Sequence, residues 1–203
     1  MKYKLNFLLL VIAVGVISTL LHELGHCIFY WIQGIPAGMS LVMEYPLIDI
    51  TATQYGIGSL GGPIVNIVLI IGSFYLIRKH EKKSIKWTIY SAIIIANTFY
   101  FIFRSIIAIK KNYGGEIESI MNLAGLNFYP AVILFLVLSL SILVWWVYKF
   151  KLKISFTHIL FYFMLFILYL AVHIIMENID SNFFKDKFPT IKIDNVKTHN
   201  PHK

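Results

Sequence analysis

The residues His22, Glu23, Leu24, Gly25 and His26, read together as HELGH, carry the strongest chemical signal in this chain. On a helix that advances about 100° per residue the two histidines lie about 40° apart, so both imidazoles reach one metal ion, and Glu23 projects from the neighbouring arc towards a water held there. This is a zinc-hydrolase arrangement. Catalytic zinc takes three protein ligands and leaves a fourth position for water, whose pKa falls to about 7. A carboxylate alongside can take the proton and return it to a leaving amine. With seven histidines in the chain, chance composition would produce an HExxH string only roughly 0.007 times. The competing reading makes these two core histidines and a paired glutamate that merely satisfy one another. It leaves three ionisable groups within one turn of an apolar helix with no function to offset their burial.

A second motif, GGPIVN, runs from Gly61 to Asn66. Pro63 suits the first turn of a helix, where its missing N–H is not needed. Gly61 and Gly62 carry no side chain, so a neighbouring helix or a substrate backbone can come close, and Asn66 one turn on is placed to face the metal site. Taken alone the motif is weak, because glycine and proline punctuate any loop-to-helix entry and an asparagine can simply tie two helices together.

The elements that must position these residues belong in a bilayer. Hydrophobic residues make up 58% of the 203 and charged residues 14%, against roughly 25% charged in soluble domains. Five apolar runs, at about 5–33, 59–77, 87–109, 130–148 and 154–176, approach or exceed the ~20 residues that cross hydrocarbon. Their length without alternation predicts an all-α polytopic protein. The first run outlasts the short apolar stretch of a secretory signal, and HELGH lies inside it. The net charge of +8 sits in short clusters between the runs, the pattern of orienting loop charges and not of a nucleic-acid partner. Lys2, Lys4, Arg78, Lys79, Lys82, Lys83, Lys86, Lys149, Lys151 and Lys153 mark one side, whereas residues 34–57 hold no Lys or Arg and 110–129 only Lys110 and Lys111. The expectation is a cell-membrane protein with a cytoplasmic N-terminus and an extracytoplasmic C-terminus, and with Trp145, Trp146 and Tyr148 in an inner aromatic belt. Leu47 to Thr53, rich in β-branched residues, predicts a surface strand or hairpin, and 177–203 reads as a polar tail. Cys27, the one cysteine, excludes an internal disulfide.

HELGH followed by a small-residue loop and GGPIVN resembles the site-2 protease family of intramembrane zinc metalloproteases. There HExxH on one core helix is followed by a GPxxN-like motif on the next. The resemblance covers residues 5 to about 126, a three-helix core, with 127–176 as two additional helices. It implies His22 and His26 as zinc ligands, Glu23 as general base, and Asn66 as a residue that orients substrate or stabilises an oxyanion. The family's third ligand, an aspartate in an LDG-like motif, has no counterpart here. Some looser members carry a GD segment followed by a short apolar helix, which Gly115-Glu116 matches, so Glu116 becomes the candidate ligand and Glu118, about 200° round a helix, its rival. HELGH near the end of the first run, GGPIVN at the start of the second and Glu116 just past the third then lie on one side of the bilayer.

Other residues rank lower. Asn97 and Arg104 share a face of the third run, and Arg104 either pairs with Glu116 or snorkels to the interface. His173 with Glu177 forms an i,i+4 pair. His158 lies near the opposite end of the same run, and His199 and His202 in the tail receive no role. The function expected is a zinc endopeptidase acting on membrane proteins or peptides in or beside the lipid bilayer. The alternatives are a CaaX-processing type of membrane zincin, disfavoured by the absence of a clear ExxxD helix, and a non-catalytic zinc-binding membrane protein.

Overall fold

An apolar run in hydrocarbon must satisfy its backbone groups internally, and each of the five runs is built on helix over its described residues. The computed structural model describes residues 2–82, 84–111, 115–149, 156–183 and 193–194. In chain order come α1 (Lys2–Ile32), β1 (Ala37–Met39), β2 (Glu44–Pro46), β3 (Ile50–Thr51), α2 (Ala52–Ser59), α3 (Gly61–Ile77), α4 (Ile85–Lys111), α5 (Glu116–Ala124), α6 (Phe128–Lys149), α7 (Phe156–Phe183) and β4 (Ile193–Asp194). Among the described residues, five stretches are long and apolar enough to cross a membrane: Asn6–Ile32, Ala52–Ile77, Ile85–Lys110, Phe128–Tyr148 and Leu160–Phe183. The chain is an all-α polytopic membrane protein.

Two local signals shift the expected boundaries. The second span begins at Ala52, not at 59, because only Leu60, itself in helical conformation, separates α2 from α3. The strand expected over Leu47 to Thr53 shrinks to Ile50–Thr51. There the Thr51 hydroxyl accepts from the Gln54 N–H at 3.2 Å and the Gln54 side chain accepts from the Thr51 N–H at 2.9 Å, a reciprocal capping box that starts a helix. The hairpin lies upstream instead, with Ala37 opposite Pro46 and Met39 opposite Glu44. The expected tail also starts later than 177, since α7 continues to Phe183 and carries Glu177 and Asp180 in helix. Beyond it, β4 pairs in parallel with β3.

Helix α4 runs through the centre, with 72% of its apolar window buried against 22% for those of α6 and α7. The main core draws on all five spans, among others Val11, Ile70, Phe99, Trp146 and Leu165. Trp146 is thus a core residue, whereas Trp145 and Tyr148 are exposed. On α6, Leu134, Val137, Leu138 and Val144 stay exposed, as a lipid-facing surface allows. Helix α7 has a further task at its C-terminal end. Asp180, fully buried, accepts from the Ser40 hydroxyl at 2.5 Å and from the N–H groups of Leu41 and Val42 at 3.0 and 2.9 Å, gripping the tip of the β1–β2 hairpin.

Candidate metal centre

The spacing of His22 and His26 on α1 does what helical geometry predicts: both are fully buried and their Nε2 atoms lie 3.1 Å apart. Glu116, the first residue of α5, brings its Oε2 to 3.1 Å from His22 Nε2 and 3.6 Å from His26 Nε2. These three side chains could hold a metal ion. The donor set suits zinc, whose bonds of 2.0–2.1 Å in a tetrahedron imply donor separations of about 3.3 Å, a value the observed spacings bracket. Glu118, two residues on from Glu116, is in no such group among the described residues.

Neighbouring groups orient two of the three candidate ligands. The His26 Nδ1–H donates to the Gly58 carbonyl at the end of α2, 2.9 Å away, which leaves Nε2 with a free lone pair for a metal. The Gly62 N–H, at 3.3 Å from the same nitrogen, is the weaker competitor. Arg104 resolves the choice between pairing and snorkelling: its Nη2 lies 2.5 Å from Glu116 Oε1, so the guanidinium holds one carboxylate oxygen and presents the other. Burial alone would raise the Glu116 carboxyl, but Arg104 and both imidazoles outweigh it and hold the group well below the usual carboxylate range. Its place at the start of α5 adds the favourable end of a helix dipole. His22 Nδ1, by contrast, is buried with no partner among the described residues.

The glycines of both motifs make the close approach. A Cβ on Gly25 would sit 2.6 Å from the Gly61 carbonyl oxygen, and one on Gly61 would strike the Gly25 backbone, so α1 and α3 meet backbone to backbone. Gly62 then lies directly against Nε2 of both histidines. Pro63 follows in the first turn of α3, where its ring interrupts no needed bond. Asn66 is buried one turn further along, with its Oδ1 unpartnered among the described residues. No hydrogen bond joins it to the histidines among the described residues.

Glu23 is buried beside His22 and His26, and its Oε2 has no hydrogen-bond partner among the described residues. Ligand atoms of Glu23, His26 and Glu44 all lie within 4.8 Å of one another. Glu44, on β2, escaped sequence reasoning, since nothing local marks one acidic residue in a loop as turned inward. Tyr100 escaped it too, although its hydroxyl lies 2.9 Å from His22 Nε2. A signal for Tyr100 existed: it stands three residues after Asn97 and four before Arg104, on the stripe those two define.

The lesser candidates settle as packing. Asn97 donates to the Ser18 hydroxyl at 3.1 Å and to the Ile93 carbonyl at 2.8 Å, tying α4 to α1. The Cys27 thiol donates to the Gly38 carbonyl at 3.3 Å beneath the hairpin. His173 forms its expected contact with Glu177 at 3.7 Å and backs the Tyr100 ring at a centroid distance of 5.9 Å. The His158 side chain, His199 and His202 lie outside the described residues. No family model, curated protein or solved structure matches the chain. The functional reading therefore rests on the site.

Proposed function

We propose that this protein is a membrane-embedded zinc metalloendopeptidase of the site-2 protease type, cleaving peptide bonds of membrane proteins or peptides. The observation that carries the reading is the meeting of His22, His26 and Glu116 with the Glu23 carboxyl group beside them, its Oε2 without a hydrogen-bond partner among the described residues. His22 and His26 through Nε2 and Glu116 through Oε2 would hold the ion. Bound there, zinc supplies Lewis acidity, activating water near neutral pH and polarising a carbonyl.

The chain's own groups do the rest. The Glu23 carboxylate takes a proton from the attacking water as its oxygen bonds to the carbonyl carbon. It delivers that proton to the amide nitrogen as the C–N bond breaks. A ligand site needs no such glutamate, so its burial beside the ligands favours turnover over storage. Gly62 removes side-chain bulk where the ligands converge, and the apolar helices keep bulk water from the site. The loop-charge bias supports a cytoplasmic N-terminus in the cell membrane, with the site towards the extracytoplasmic face.

The test is Glu23→Gln, which keeps size but cannot take up the proton. It should retain stoichiometric zinc by mass spectrometry and lose about 10²–10⁴-fold in hydrolysis of single-span membrane substrates. Cleavage at the parent rate, or a parent protein that holds no zinc, overturns the reading.

A further inference from the structure

We propose that Tyr100 is a catalytic residue of this site, its hydroxyl donating a hydrogen bond to the oxygen of the scissile carbonyl; this rests on the protease reading above. Two candidate ligand atoms and one hydroxyl gather around His22 Nε2. The Tyr100 hydroxyl is 2.9 Å from His22 Nε2, and the same nitrogen is 3.1 Å from both His26 Nε2 and Glu116 Oε2. Tyr100 therefore borders the space into which a reacting group must fit.

The side chain is held there. Its ring is 4% exposed and packs 4.6 Å from the His22 ring, with the Arg104 guanidinium carbon 5.8 Å from its centre on one side and His173 on another. A tyrosine so confined has little freedom left to lose when substrate binds, which is the condition for electrostatic preorganisation.

Chemistry then assigns the proton. The Nε2 lone pair of His22 cannot serve both a metal and the Tyr100 O–H. Once it is committed to the metal, the buried hydroxyl needs another acceptor, and among the described residues no second one stands within hydrogen-bond reach. A substrate carbonyl oxygen entering beside the ligands supplies it. As the water oxygen bonds to the carbonyl carbon, the C=O π pair moves onto that oxygen and the water proton passes to Glu23. The pair returns to re-form C=O as the C–N bond breaks and Glu23 protonates the nitrogen. Tyr100 keeps its proton throughout, and its hydrogen bond is strongest when the oxygen carries the charge.

Competing donors are already engaged or remote. Arg104 is committed to Glu116 Oε1 at 2.5 Å. Asn66, the donor suggested by the family resemblance, lies a turn beyond Gly62 and shares no hydrogen bond with either imidazole among the described residues.

Tyr100→Phe removes one oxygen and keeps the ring, so it is the decisive variant. Zinc stoichiometry, and the visible spectrum of the cobalt-substituted protein, should match the parent. The kcat should fall about 10²–10³-fold with KM nearly unchanged, as for loss of one oxyanion donor. A phosphinic peptide mimicking the tetrahedral state should lose affinity by a similar factor, a readout that mere loosening of the site would not reproduce. Loss of zinc or a changed cobalt spectrum would make the phenol a metal ligand or a folding element and overturn the proposal. Parent-level kcat in a cleaving, zinc-loaded variant would overturn it as well. A zinc-loaded parent that cleaves nothing sinks the protease reading itself, so the two failures are distinguishable.

Discussion

Gly62→Ala sets the proposed metal site against ordinary helix energetics. Within a helix alanine is favoured over glycine by about 0.8–1.0 kcal/mol, so wherever space allows the change stabilises. Gly72, on the same helix α3, is such a position, with nothing within 4 Å of an added Cβ. At Gly62 the same Cβ would come closer than 3.0 Å to Nε2 of both His22 and His26. Those imidazoles are fully buried, and α3 can retreat only by giving up the backbone-to-backbone contact of Gly61 with Gly25. Forcing a methyl group into a packed interior costs about 1–3 kcal/mol. The propensity gain offsets part of that, leaving a net loss of about 0–2 kcal/mol. The metal gives the larger contrast. A ligand at a hundred times its Kd stabilises the folded state by about 2.7 kcal/mol, an increment that the parent and Gly72→Ala should show on adding zinc. Gly62→Ala should lose most of it, because the methyl occupies the space where the two nitrogens converge. Thermal unfolding in detergent with and without zinc, alongside metal content, reads both effects. If Gly62→Ala kept stoichiometric zinc and the full zinc-dependent shift, the convergence of the two histidines against α3 would not be a metal site.

Arg104→Met should weaken zinc binding about 10–100-fold, as loss of a group orienting a ligand does, whereas Glu118→Ala should leave it unchanged; competition with a chelator measures both. Asp180→Ala removes the acceptor of three hydrogen bonds at the hairpin tip, and bonds to a charged group are worth about 1.5–3 kcal/mol each. Amide exchange over residues 37–46 should accelerate sharply, and exchange at the parent rate would refute the latch. A reporter fused after residue 80 should read cytoplasmic and one at the C-terminus extracytoplasmic; the opposite pattern would place the site on the cytoplasmic side.

Information carried over a few residues was legible in the sequence. The His22/His26 pair follows from helical periodicity, and the five spans follow from runs of apolar residues that water would not tolerate. The capping box Thr51–Gln54 was equally local, yet the β-branched run around it suggested strand. There the end of a helix outweighed propensity, because Thr51 and Gln54 satisfy two otherwise orphaned N–H groups.

Contacts between distant residues were legible only where a motif hinted at them. Glu116 sits 94 positions from His22 in the chain, and local pattern alone could not separate it from Glu118; the turn at Gly115, with φ of 51°, and the grip of Arg104 decide which carboxylate faces inward. The same holds for Tyr100, placed by the crossing of helices, and for Glu44 and the Asp180 latch, placed by the packing of the hairpin on the bundle, none of them by its neighbours in sequence. Helix formation and burial in lipid depend on short-range composition, so the sequence by itself determined the bundle and the histidine pair. Which side chains meet across the bundle depends on how closely α1, α3 and α4 can pack, and that was decided in three dimensions, where Gly25 and Gly61 let two backbones touch.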